Sequence, residues 1–174
     1  MKPRRVGFVF VLCVVVVMVV GGMFARSVSS RTRSSAKGAP LSAAASPEAE
    51  LTPILDQMEK IANTHDVDAF MNFYEKSPSM VFVFNGSEVH GFDALRAEQA
   101  KWWQDGKSDV AYAREAAPEF TVLGPDAVVV TLEESSTRTL PDGAKSRGTV
   151  VITEVFERRP EGWRIVYSHE SSAH

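Results

Sequence analysis

Hydrophobic residues recur at two different spacings in this chain, and the change of spacing separates predicted helices from predicted strands. From about residue 51 to residue 104, apolar residues mostly recur every three or four positions, which is the period of an amphipathic α-helix. From about residue 108 apolar and polar residues alternate, as they do in strands with one buried face. The pattern therefore predicts a helical region followed by a sheet.

Three helices are predicted in the first region. The first follows Thr52-Pro53, which supplies a cap and a first-turn proline. The second follows Asp66 and ends before Pro78, because the residue before a proline disfavours helical geometry. The segments MVFVF and SEVHG indicate two short strands joined by an Asn85-Gly86 turn. The third helix is predicted at residues 93–104.

Four long strands are predicted in the second region, at residues 108–123, 127–139, 146–158 and 163–171. Their loops are short and rich in Gly, Pro and Asp, so we expect antiparallel neighbours. The predicted fold class is α+β, with three helices packed on one face of a curved antiparallel sheet. The segments VVVTL and TVVITEVF are apolar on both faces, which predicts that a second subunit covers the open face in a homodimer.

An uncharged, valine-rich run, Val6–Phe24, follows the basic segment KPRR at the N-terminus. Its 19 residues are close to the roughly 20 needed to span a membrane and exceed the core of a cleavable signal. We predict that residues 1–25 are an uncleaved anchor, with the domain on the exported side, periplasmic or extracellular. The alternative is secretion after signal cleavage. Residues 26–50 are predicted to be a flexible Ser/Ala/Arg-rich linker, and residues 51–174 the folded domain.

The distribution of charge argues against nucleic acid as a binding partner. All 22 acidic residues and 12 of the 19 basic residues lie in Glu48–His174, which gives this part a net charge of −10. A nucleic-acid interface needs a cationic face, so no nucleic-acid partner is expected. The single cysteine, Cys13, lies in the apolar run, and the predicted domain therefore has no disulfide or thiolate chemistry.

Two stretches carry a resemblance to a known family: NTHDVDAFMNFYEKSPSMVFVFNGSEVHGFDALR and, much later, GWRIVYSHESS. From about Leu51 to Ser172 the chain resembles the nuclear transport factor 2-like superfamily, and within it the SnoaL-like and ketosteroid isomerase-like group. The resemblance implies a cone with a ligand pocket between the sheet and the helices. It implies little about function, since this fold hosts isomerases, cyclases, dehydratases, assembly hubs and binding modules. The expected pocket-lining residues are Tyr74, Asn85, His90, Trp102, Trp103, Tyr112, Glu134, Tyr167 and His169.

The candidate catalytic residues are His169, Glu134 and Tyr167. Strict alternation in the last strand places Tyr167 and His169 on the face that carries Trp163 and Ile165. Histidine is a common general base near neutral pH, and the tyrosine would donate a hydrogen bond. Glu134 would be a buried carboxyl with a raised pKa if it, rather than Glu133, points inward. The alternatives are that His169 has only a structural role and that Glu134 is exposed. Whether the side chain points inward or outward is equally open for Glu154 in the next strand.

The steroid isomerase constellation is absent from the matching positions. Met58 stands where that group has its tyrosine, and Phe82 or Val83 where it has its aspartate. None of these side chains can donate to an oxyanion or accept a proton. No spacing brings three metal ligands together either, so neither a metal nor a cofactor is predicted.

The sequence therefore favours an exported, membrane-tethered domain that binds a small, partly apolar molecule without assured catalysis. One alternative is an isomerase, cyclase or dehydratase-type enzyme that uses His169 or Glu134 for acid–base chemistry. The other alternative is an oligomerisation or interaction module.

Overall fold

The structure is a computed structural model that describes residues 45–172. The predicted anchor Val6–Phe24 lies outside this part of the chain. Within residues 45–172, no helix is long and apolar enough to cross a membrane. The helices are α1 (Pro47–Ala62), α2 (Val67–Met71) and α3 (Phe92–Trp102); the strands are β1 (Val81–Phe84), β2 (Ser87–His90), β3 (Ala111–Arg114), β4 (Glu119–Gly124), β5 (Ala127–Thr139), β6 (Lys145–Arg159) and β7 (Gly162–Ser172).

Side-chain caps fix where the first two helices begin. Ser46 caps α1, because its Oγ accepts a hydrogen bond from the Ala49 N–H at 3.3 Å. Asp66 caps α2 in the same way, accepting from the Ala69 N–H at 2.9 Å. The predicted start at Thr52-Pro53 is therefore too late, and Pro53 lies inside α1.

The seven strands form one mixed sheet in the order β2-β1-β7-β6-β5-β3, with β4 also paired to β5. The predicted all-antiparallel sheet is wrong at one pair, because β1 runs parallel to β7. No hairpin connects these two strands; the chain between them forms α3 and the rest of the sheet, which allows a parallel pairing. The α+β class with three helices is confirmed.

The strand predicted at residues 108–123 is divided in two. The segment 115–118 separates β3 from β4, and both pieces pair with β5: β3 with Glu134–Thr137 and β4 with Ala127–Thr131. Pro118 lies at the break, where its missing N–H removes a possible ladder bond.

A single extra residue interrupts the pairing of β6 with β7. Val155 lies opposite Tyr167, whereas Phe156 lies opposite Ile165, so Val166 has no partner on β6. This is a β-bulge, and it shifts the alternation of the strand by one residue. Trp163 and Ile165 point into the domain before the bulge, and Ser168 is the buried residue after it.

The hydrophobic core fills only one end of the sheet. Val128 and Val130 of β5, Phe156 of β6 and Ile165 of β7 are completely buried there against α1. Further along the same strands, the inner residues Leu132 of β5 and Ile152 of β6 line a cavity instead. The sheet therefore divides into a filled end and an open end.

Candidate functional site

The open end of the sheet contains a cavity of about 850 Å³. Its walls are the inner faces of β3, β5, β6 and β7, together with α1, α3 and the segment after α2. Most of the wall is apolar or aromatic: Leu55, Met58, Phe70, Tyr74, Phe84, Trp102, Trp103, Tyr112, Leu132, Val150 and Ile152. A cavity of this size accommodates a typical small organic molecule.

Five of the nine predicted lining residues contribute to this cavity: Tyr74, Trp102, Trp103, Tyr112 and Glu134. Asn85 does not, because it occupies the β1–β2 turn at φ 48° and binds Ser172 instead. Its Nδ2 donates to the Ser172 Oγ at 2.9 Å, and its Oδ1 accepts from the Ser172 N–H at 2.8 Å. His90 does not either: its side chain is 63 % exposed and contacts Glu88 at 3.0 Å.

The predicted placement of Tyr167 and His169 in the pocket is also wrong. Both residues follow the Val166 bulge, so they lie on the outer face of the sheet, where His169 is exposed. The same shift turns Glu170 inward, and it lines the cavity. The bulge therefore places the Glu170 carboxyl group in the cavity wall, where regular alternation would have placed His169.

Three glutamates from adjacent strands line the cavity: Glu134 of β5, Glu154 of β6 and Glu170 of β7. The strand register places Glu154 opposite Val130 on one side and Ser168 on the other. Glu170 lies opposite Ile152, and Glu134 opposite Val150. All three carboxyl groups therefore point to the same side of the sheet.

Burial gives these carboxyl groups unusual acidities. Desolvation raises the pKa of Glu154 to about 8, and the charges of Glu170 and Glu134 add to the effect. Burial and the charge of Glu134 raise the pKa of Glu170 to about 8. Burial raises the pKa of Glu134 to about 7, with a contribution from Glu59 and an opposing one from Arg114. Near neutral pH this wall therefore exchanges protons with solvent or with a ligand.

Two buried polar atoms near this wall have no hydrogen-bond partner within residues 45–172: the Oε2 of Glu154 and the Oγ of Ser168. Glu154 is 3 % exposed and Ser168 is completely buried. Buried polar atoms without partners cost free energy, and they are rare in native structures. The two residues are direct cross-strand neighbours, and Glu154 lines the cavity, so a guest group could satisfy its unpartnered oxygen.

Two phenols, Tyr74 and Tyr112, also line the cavity. Trp103 donates its indole N–H to the Tyr112 hydroxyl at 2.9 Å, which leaves the proton of that hydroxyl free for a second partner. Asn63, just after α1, accepts from the Tyr112 N–H and donates to its carbonyl, both at 2.9 Å. Burial raises the pKa of Tyr112, and burial with the nearby glutamates raises that of Tyr74. Both phenols are therefore hydrogen-bond donors at physiological pH.

The basic residue at the cavity wall between α1 and β3 already has partners. Arg114 binds Asp56 at 2.7 Å and Glu59 at 3.1 Å. No basic side chain of residues 45–172 forms an ion pair with Glu134, Glu154 or Glu170. Within the same residues no three carboxylate or imidazole groups converge as metal ligands would. The wall is suited to hydrogen bonding and proton transfer.

Comparisons with known proteins agree with this architecture. Residues 52–174 match the family model of the SnoaL-like domain, and no curated protein matches the chain. A similar structure is an NTF-2 like protein of unknown function from Shewanella oneidensis MR-1, with a TM-score of 0.60 and 24 % identity over 72 % of this chain and 98 % of that one. An NTF2-like superfamily protein from Salmonella enterica serovar Typhimurium has a TM-score of 0.62 and 23 % identity, covering 72 % and 89 % of the two chains.

A third similar structure is the association domain of CaMKII from C. elegans. Its TM-score is 0.57 at 17 % identity, over 70 % of this chain and 92 % of that one. Identities this low establish a shared fold and carry no assignment of ligand or activity.

Proposed function

Because this chain belongs to the SnoaL-like domain family, we propose that it binds a small, partly apolar molecule in the cavity walled by Glu134, Glu154 and Glu170. The observation that carries this proposal is the buried Oε2 of Glu154, which has no partner among the described residues, in the wall of a cavity of about 850 Å³. Without a ligand the unpartnered polar group destabilises the folded protein, whereas a ligand that hydrogen-bonds to it would remove this free-energy penalty. The aliphatic and aromatic side chains of the lining supply apolar contact for the rest of the molecule.

A cavity-filling substitution tests this proposal. Ser136 lies on the inner face of β5 and lines the cavity, whereas Glu133 on the same strand is exposed. We expect a metabolite library to contain a ligand that raises the melting temperature of the full-length chain; saturation at 100 times Kd stabilises by about 2.7 kcal/mol. Ser136→Trp should abolish this shift because the indole occupies the site, and Glu133→Trp should retain it. The proposal fails if no compound stabilises the wild type, or if Ser136→Trp responds as the wild type does.

Catalysis is a second candidate function, favoured by the acidity of Glu134. A carboxyl group with a pKa of about 7 is partly ionised near neutral pH, as a general acid or base requires. Tyr112, with its free hydroxyl proton, would stabilise negative charge that develops on the substrate. Isomerisation, cyclisation and dehydration all need this pair of roles. Turnover of a bound compound that survives Glu134→Gln would remove this candidate.

The outer face of the sheet supports association of two copies. Val151 is 40 % exposed there, and Val129 and Val155 form a directly opposed, half-buried pair beside it. Solvent-exposed valines on a sheet face are typical of a surface that another subunit covers. We expect the full-length chain to behave as a dimer in light scattering, and Val151→Lys to shift it to monomer without loss of ligand binding. A wild-type monomer at micromolar concentration would contradict this assignment.

Membrane tethering through Val6–Phe24 belongs to the same proposal and rests on the sequence alone. The run has the length of a spanning helix and follows a basic N-terminal segment. Fractionation of cells that express the full-length chain tests it: an anchored protein remains in the membrane fraction at full length. Recovery only as a shortened, soluble protein would instead support signal cleavage and secretion.

A further inference from the structure

We infer that the ligand of this cavity is a protonated amine, whose ammonium group binds the carboxyl group of Glu154 on a wall that also carries the carboxyl groups of Glu134 and Glu170. The inference rests on the proposed function, because it names the chemical class of ligand for the same cavity. Three features of the cavity wall support it: its charged groups, its hydrogen-bond acceptors and its aromatic rings.

The interior of the cavity presents carboxyl groups that have no basic partner within residues 45–172. Three carboxyl groups project from adjacent strands, and none of them forms an ion pair with a basic residue in the described part of the chain. Arg114 is bound by Asp56 and Glu59, and Arg147 by Glu115. The titratable and charged groups that line the cavity are Glu59, Tyr74, Asp109, Tyr112, Arg114, Glu134, Arg138, Arg147, Glu154 and Glu170.

The unpartnered atom of the wall defines what the ligand must donate. Glu154 Oε2 accepts hydrogen bonds when ionised. An ammonium group has up to three N–H donors and no acceptor, so it can donate to this oxygen, and its positive charge favours the ionised form of the carboxyl group.

The aromatic lining suits the same ligand. Trp103 and Tyr112 are held in place by their mutual hydrogen bond, and Tyr74 is buried beside the glutamates. Aromatic faces attract cations within about 6 Å, and they also bury the hydrocarbon part of an amine. The cavity therefore offers both carboxyl groups and aromatic rings to a ligand.

Binding of a cation here must be coupled to proton release. In the free protein, burial raises the pKa values of Glu134, Glu154 and Glu170 toward or above neutrality. A positive charge beside these groups favours their ionised forms and displaces protons to solvent. The affinity for an amine should therefore rise between pH 5.5 and pH 8, and the affinity for a neutral molecule of the same shape should not.

Calorimetric titration of the full-length chain with benzylamine and benzyl alcohol separates charge from shape. At pH 8 we expect benzylamine to bind at least tenfold more tightly than benzyl alcohol, with net proton release in buffers of different ionisation enthalpy. Glu154→Gln and Glu170→Gln should each weaken benzylamine at least tenfold and change benzyl alcohol less than twofold. Glu133→Gln, an exposed change on the other face of β5, is the matched control and should alter neither.

The possible failures are distinguishable. Equal affinity of benzyl alcohol and benzylamine would overturn the amine assignment and leave the cavity as a binding site. Benzylamine binding that is unaffected in both Gln variants would overturn the assignment of the carboxyl groups. No binding of either probe would overturn the amine inference, and only the failure of the whole metabolite library would also reject the proposed function.

Discussion

Glu154→Gln should raise the melting temperature of the full-length chain by about 10 °C at pH 8 and change it little at pH 4.5. The folded-state pKa of Glu154 is about 8, above the ordinary value of 4.5. The folded protein therefore holds a proton that the unfolded chain releases between these two pH values, and stability falls as pH rises across this window. Each pKa unit corresponds to about 1.4 kcal/mol, so the loss reaches at most about 5 kcal/mol at pH 8. Glutamine stays neutral over this pH range, so the variant does not undergo this loss of stability.

Chemical denaturation at pH 4.5, 6, 7 and 8 measures this effect directly. The wild type should lose stability steadily over the series, and Glu154→Gln should show a shallower slope, because Glu134 and Glu170 still titrate. Glu133→Gln is the matched control, since the Glu133 side chain is exposed and its removal should leave the slope unchanged. Parallel slopes for the wild type and Glu154→Gln would show that the Glu154 carboxyl is not buried in the folded domain.

Phe156→Ala should lower the free energy of unfolding by about 4 kcal/mol, enough to unfold a marginally stable domain at physiological temperature. Phe156 is completely buried at the filled end of the sheet, where α1 covers it. Removing its ring leaves a void that the surrounding side chains cannot fill, so the loss of burial and the loss of contacts add.

Leu132→Ala is the variant with which Phe156→Ala should be compared. Leu132 lies on the inner face of β5 as Val128 and Val130 do, but it is only partly buried at the edge of the core and also lines the cavity. Its truncation enlarges an existing space and should cost about half as much. Equal losses in urea denaturation of the two variants would contradict the division of the sheet into a filled and an open end.

The long strands were readily predicted from the sequence because hydrophobic alternation is their direct physical cause. The strand predicted at residues 127–139 is confirmed as β5, and those predicted at 146–158 and 163–171 are one residue short at each end. The resemblance to the nuclear transport factor 2-like superfamily is also confirmed. The start of α1 was misplaced because Ser46-Pro47 and Thr52-Pro53 carry the same capping signal, and only tertiary packing distinguishes them.

The wall of the cavity was harder to predict, since it depends on one residue of register. Alternation placed Glu134 on a possible inner face, and the structure has it in the cavity wall. Glu170 was missed because strict alternation carries it outward, and Val166, an ordinary strand residue, gives no sign that it is the bulged one. The parallel pairing of β1 with β7 was missed for a similar reason, since it joins segments more than 80 residues apart.

The bulge at Val166 also affects how this chain should be compared with its homologues. A relative whose strand has the same number of residues but pairs all of them regularly would present the opposite set of β7 side chains to its cavity, even with an identical sequence beyond that point. A residue-by-residue alignment of such a pair would equate the inward Glu170 with an outward side chain. Functional residues on this strand can therefore be transferred between family members only after the presence of the bulge has been established in each.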